Sequence, residues 1–193
     1  MYIRRGTTAL VALIVLGMAG QALALDGYQD RRGFFTRVGV GGTANKACAD
    51  ACGDRQLGLA LRLRLGVGLN QHITGDFGIH STSSGGEGII LLGGLLPDVD
   101  RTIGGVFLGG NYYVGNGLYG RLSFGLSQIT ETATLLEEKK NREEVGLAYG
   151  VEIGFELFAN ADWAVAISAD MELHSYDDFD AQLFTIAVTG THY

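Results

Sequence analysis

Residues Leu57 to Leu69 read LGLALRLRLGVGL, and the order of large and small side chains in this stretch decides the fold. Leu57, Leu59, Leu61, Leu63, Leu65, Val67 and Leu69 fall on one face of an extended strand, with Gly58, Ala60, Arg62, Arg64, Gly66 and Gly68 on the other. A helix would repeat its apolar positions at intervals of three and four, whereas here the period is two throughout. So many aliphatics on one face exceed what a half-buried strand of a water-soluble sheet presents, and the opposite face carries two guanidinium groups. Lipid on the leucine side and a polar interior on the arginine side satisfy both faces.

The pattern recurs at Val145 to Leu157, where Glu152 and Glu156 share a face with Gly146, Ala148, Gly150 and Gly154, and again at Trp163 to His174, where Asp170 and Glu172 share one with Ala164, Ala166 and Ser168. Weaker alternation predicts strands at Phe34 to Gly42, Ile73 to Thr82, Thr102 to Val114, Leu118 to Thr130 and Gln182 to Tyr193. These segments predict an all-β fold, a closed antiparallel transmembrane up-and-down barrel of eight strands. The connections alternate in length. Thr43 to Arg55, Ser83 to Arg101 and Glu131 to Glu144 are long, Asn70 to His72, Gly115 to Gly117 and Ala159 to Asp162 are short, and one around Tyr176 to Asp180 is moderate. Short periplasmic turns and longer external loops are the asymmetry expected of such barrels. Phe34, Tyr112, Tyr113, Tyr119, Phe158, Trp163 and Tyr193 all lie beside a short turn or a terminus, and are expected to form a periplasmic aromatic girdle. The apolar run Ile89 to Leu96 is read as an upward extension of its hairpin or a loop lying against the leaflet; as an added strand it would make nine.

The chain starts as an exported precursor does. Arg4 and Arg5 precede an apolar run from Thr8 to Ala19, and Ala22-Leu23-Ala24 is a small-x-small cleavage site, so residues 1–24 are expected to be removed and residues 25–193 to form the barrel domain. Loss of the two arginines takes the formal charge from -7 to -9. An acidic domain whose lysines are Lys46, Lys139 and Lys140 lacks the basic face that nucleic-acid binding needs. Pro97 is the single proline, so nearly every amide is free to donate to a ladder. Cys48 and Cys52 are the only cysteines, and in an exported chain they predict a disulfide closing a small loop.

With its signal, its eight alternating segments, the hairpin from Tyr112-Tyr113 to Gly120 and the terminal aromatic Tyr193, the chain resembles the small eight-stranded outer-membrane β-barrel family, that of the outer membrane protein A transmembrane domain and outer membrane protein X. The resemblance spans essentially the whole mature chain. It implies location in the outer membrane after export through the periplasm, contact with outer-membrane lipid and lipopolysaccharide, and delivery to the barrel-assembly machinery through the C-terminal strand ending in Tyr193. One departure is visible: Phe184, Ile186 and Val188 are out of phase with Tyr193, and a bulge near Gly190 would restore the phase.

Few residues invite chemistry. Gly115 to Gly120 spells G-x-G-x-x-G, but a strand follows it where a dinucleotide site needs a helix, so it reads as a hairpin turn. Cys48 and Cys52 have no companion pair for zinc, and no metal or cofactor is expected. His80-Ser81 and His174-Ser175 raise the question of a lipid-modifying hydrolase or acyltransferase, with Ser175, His174 and Asp177 or Asp178 as candidates. In the predicted phase, however, each histidine points into the lumen while its serine points out, which separates base from nucleophile. Arg37, Arg62, Arg64 and Arg121 face Asp76, Glu152, Glu156, Asp170 and Glu172 across a narrow lumen, where they are expected to pair. The leading expectation is a non-enzymatic envelope-structural or surface-interaction protein working through its external loops. A lipid-modifying enzyme and a narrow pore are its rivals.

Overall fold

The structure, a computed structural model, describes residues 31–48, 55–84, 101–114, 117–135, 138–159 and 162–193. The expected signal peptide, Cys52, the Ile89 to Leu96 run and Glu137 lie outside the described residues.

Eight strands follow one another: β1 (Gly33–Cys48), β2 (Gln56–Gly68), β3 (Ile73–Ser84), β4 (Arg101–Tyr113), β5 (Leu118–Leu135), β6 (Glu138–Ala159), β7 (Trp163–Ser175) and β8 (Asp180–His192). Each pairs antiparallel with the next, and β8 pairs with β1 to close an up-and-down barrel. Closure matters in lipid, where an unpaired strand edge would leave backbone amides and carbonyls without partners. Following hydrogen-bonded partners around the wall from Val38 through Leu63, Ile79, Val106, Leu126, Leu147, Ser175 and Asp180 returns to β1 at Cys48, ten residues further along. Such a stagger obliges the strands to tilt, and a barrel of this strand number is just wide enough for its own side chains to fill.

The alternation read from the sequence is the alternation of the wall. On β2 every leucine from Leu57 to Leu65 is exposed while Ala60, Arg62 and Arg64 are buried. A register shift between Glu156 and Phe158, where β6 meets β7, turns both Leu157 and Phe158 outward. The bulge expected near Gly190 is absent, because β8 keeps unbroken register with β1 and β7 through Gly190.

The girdle expectation is corrected by the same geometry. Phe34, Tyr112, Phe158 and Trp163 do face lipid. Tyr113 follows Tyr112 directly and therefore faces the lumen, and its register partner Tyr119 goes with it; both are 1% exposed. With no bulge at Gly190, Tyr193 keeps the inward phase, and its ring lies 6.1 Å from that of Phe35. The third long connection is also shorter than expected, since β5 continues to Leu135 and β6 starts at Glu138. Thr130, Thr132 and Thr134, β-branched at alternate positions, favour this extension of the hairpin.

Candidate functional site: the lumen and its two mouths

Inward-facing side chains sort by height into three zones. At the periplasmic mouth, Arg31 precedes β1 and turns into the lumen, donating from Nη2 to Glu156 at 2.6 Å and from Nη1 to the carbonyl of Gln71 at 3.2 Å. Its guanidinium lies 3.9 Å from the centroid of the Tyr113 ring, a cation–π contact. Burial alone would lower the pKa of Arg31, but the charge and hydrogen bond of Glu156 outweigh it and the pKa is raised. Burial, then Tyr113 and Glu156, raise the pKa of Tyr193, so its hydroxyl stays protonated and donates to Glu156 at 3.2 Å. The sequence reading missed Arg31, which lies outside any strand; the one cue was that it continues the odd-numbered inward phase of Phe35 and Arg37.

In the middle zone the expected charges meet as follows. Arg64 donates twice to Glu152, at 2.5 and 3.3 Å, and Tyr119 donates to the same carboxylate at 3.1 Å. Arg121 pairs with Asp76 at 2.7 and 3.2 Å, and Asn111 adds a bond to Asp76 at 2.7 Å. Arg62 reaches Asp170 and stands 3.8 Å from Glu152. Glu172 takes no arginine: His80 lies 2.8 Å and His174 3.2 Å from it. Arg37 departs from the expected ionic set. It donates to the hydroxyls of Thr191 at 2.8 Å and Tyr113 at 2.6 Å, and stands over the Phe35 and Tyr119 rings. The void between Arg62, Arg64, His80, Phe107, Arg121 and Glu172 measures about 10 Å³, enough for a single water at most.

The outer mouth is built differently. Ile103, Ile129, Tyr176, Ala181 and Leu183 form a buried apolar cluster against which Phe179 packs. Tyr176 and Phe179 sit in the β7–β8 connection and stack at 4.9 Å, held by the Tyr176 amide donating to the Phe179 carbonyl, so this loop folds inward over the lumen. Beside it Arg101 pairs with Glu131 at 2.6 Å and Asn45 bonds Ser84.

As expected, His80 and His174 are buried while Ser81 and Ser175 face outward, and Asp177 and Asp178 are exposed in the β7–β8 loop. Each histidine is engaged by Glu172, and among the described residues no serine is hydrogen-bonded to either base. Gly117, with φ of +89°, forms the β4–β5 turn and β5 follows at once, so the G-x-G-x-x-G letters carry no phosphate cradle. Cys48 ends β1, at the outer rim.

No curated protein matches the chain. Among solved structures it is similar to the attachment invasion locus protein Ail of Yersinia pestis, with a TM-score of 0.61 and 16% identity over 81% of this chain and 97% of that one. It is also similar to Neisserial surface protein A, with a TM-score of 0.50 and 10% identity over 81% and 95% of the two chains. At such identities the likeness speaks for the fold alone. The family model for the outer membrane protein beta-barrel domain matches residues 8–191, nearly the whole chain. The chain belongs to the outer membrane protein beta-barrel domain family, and its place is the outer membrane of the cell.

Proposed function

We infer that this protein is a closed, non-conducting barrel that works at the cell surface through its external loops, rather than as an enzyme or a pore. The observation that carries this reading is the lumen. Its long charged side chains are engaged by one another, by histidines and by buried hydroxyls, and each mouth is stoppered, by Arg31, Tyr113 and Tyr193 at one end and the Tyr176 cluster at the other. Among the described residues the void at the waist measures about 10 Å³, too little for a substrate or a hydrated ion, which favours the outer rim and loops as the place of contact. Ail, similar in fold, has been crystallised with the heparin analogue sucrose octasulfate, and Neisserial surface protein A is by name a surface protein. Both agree with an adhesive or surface-interaction role.

Residues 1–24 act as the export signal, the Cys48–Cys52 disulfide shapes the first loop, and the buried charge network locks the barrel. Outer-membrane lipid and lipopolysaccharide surround it, and the assembly machinery reads its C-terminal strand. Reconstitution in planar bilayers, with mass analysis of lipid A incubated with the same preparation, separates the three classes. Silent bilayers and unchanged lipid A are expected; steady conductance would establish the pore, and loss of an acyl chain the enzyme.

A further inference from the structure

Two grooves of similar size mark the lipid-facing wall, and they differ in chemistry. One, about 450 Å³, lies against Leu65, Val67, Phe77 and Leu108 over Gly75, and its outward side chains are all apolar. The other, about 440 Å³, crosses β4 and β5 near the outer rim, with Gly104 as its floor, Val106 and Leu126 as its lower walls, and Thr102, Gln128 and Thr130 along its upper edge. Gly104 is not required by the fold. A Cβ there would meet nothing nearer than the backbone oxygen of His80 at 3.8 Å, an ordinary contact, and no positive φ constrains it. A glycine inside a strand forgoes packing and backbone stability, so Gly104, like the outward-facing Gly42, Gly75 and Gly110, leaves a notch in the wall, and at Gly104 the notch is edged by Thr102, Gln128 and Thr130.

The depth of this notch is set by its neighbours along the strands. Level with Thr130 on the outward face stands its register partner Glu143, an exposed carboxylate of β6, and two steps below the Gly104–Gln128 pair stands Val106 beside Leu126. The groove therefore straddles the boundary between water and hydrocarbon, its apolar part pointing into the leaflet and its amide and hydroxyl groups lying at the boundary. A lipid presents the matching sequence of chemistry: an acyl chain, then a carbonyl linkage, then a polar headgroup.

We propose that this groove is a binding site for one acyl chain of an outer-leaflet saccharolipid of the lipid A type, with the chain over Gly104 between Val106 and Leu126 and its amide or ester linkage hydrogen-bonded at Thr102, Gln128 and Thr130. An amide-linked chain offers both a donor and an acceptor, and Gln128 is itself both. The choice of the outer leaflet rests on the reading that the longer loops face outward. It does not depend on the lumen being closed or on what the loops bind.

The test uses the refolded mature barrel in detergent micelles, given equimolar lipid A and phosphatidylethanolamine, with bound lipid read by native mass spectrometry. Wild type is expected to retain one lipid A in preference to phosphatidylethanolamine. Gly104→Leu, which fills the notch at the expense of about two buried methylenes of the lipid, is expected to lower retention about tenfold. Gln128→Leu, which keeps the floor and removes the polar edge, should lower it too, and it decides the matter if Gly104→Leu does not fold. Gly75→Leu fills the apolar groove, where a Cβ meets only the Gly109 oxygen at 3.9 Å, and should leave retention unchanged. Undiminished lipid A in Gly104→Leu and Gln128→Leu, equal loss in Gly75→Leu, or phosphatidylethanolamine held as well as lipid A would each overturn the site.

Discussion

The waist of the lumen and its outer mouth solve one problem, filling a barrel of fixed bore, by opposite means. At the waist Arg62, Arg64 and Arg121 reach carboxylates on β3, β6 and β7, and the space closes because ions of opposite sign meet. At the mouth Ile103, Ile129, Tyr176 and Leu183 pack as the core of a soluble domain does. An apolar filling tolerates loss of one member at the cost of a cavity, whereas an ionic one leaves an uncompensated charge. The waist thus supplies mutual dependence between strands distant in sequence, and the mouth supplies burial.

The sharpest way to break this contrast is Glu152→Ala, which strips Arg64 of its carboxylate partner, leaves Arg62 with Asp170 and His80, and removes the acceptor of Tyr119. A loss of ~3 to 5 kcal/mol is expected in urea-dependent unfolding from lipid vesicles. Exposed Glu143→Ala, on the same strand, should stay within ~0.5 kcal/mol. Leu183→Ala at the mouth, where the side chain is 1% exposed, should cost ~2 to 5 kcal/mol without opening a conductance at the waist, because the ion pairs below remain. A leucine loss that made the bilayer leak would show that the mouth, not the waist, seals the barrel.

On the outer face, Leu63→Arg places a charge near the middle of the apolar belt and should cost ~2 to 4 kcal/mol, read by the same unfolding assay. The smallest effect compares two consecutive glycines. A Cβ at Gly41 would stand 2.3 Å from the carbonyl oxygen of Ile186, while one at Gly42 meets nothing within 4 Å. Gly41→Ala is therefore expected to destabilise by ~1 to 3 kcal/mol and Gly42→Ala to be neutral or stabilising by ~0.5 to 1 kcal/mol. The reverse order would place the wrong face of β1 inward.

How far the site was legible depended on how local its cause was. Alternation on β2, β6 and β7 carries its own meaning, so Arg62, Arg64, Glu152, Asp170 and Glu172 were recognisable as inward charges from spacing alone. Their pairing was not, because Arg62 and Asp170 are 108 residues apart and meet only through the stagger of the closed wall. Arg37 illustrates the limit. Its face was read from the sequence, yet its partners, Thr191 and Tyr113, are hydroxyls that no count of charges singles out. Nearness to a turn groups Tyr113, Tyr119 and Tyr193 with the girdle, yet it says nothing of which face a side chain takes.

By itself, the sequence determined the period-two pattern, hence strands, a lipid-facing and a lumen-facing side, and an even, closed sheet. These follow because side-chain direction in a strand alternates with each residue and lipid tolerates no open edge. Only the tertiary structure decided who meets whom: Arg31 with Glu156, Glu172 with two histidines, Tyr176 folded over the mouth, and the notch above Gly104. Those contacts depend on the ten-residue stagger around the barrel, which is a property of the closed wall rather than of any single strand.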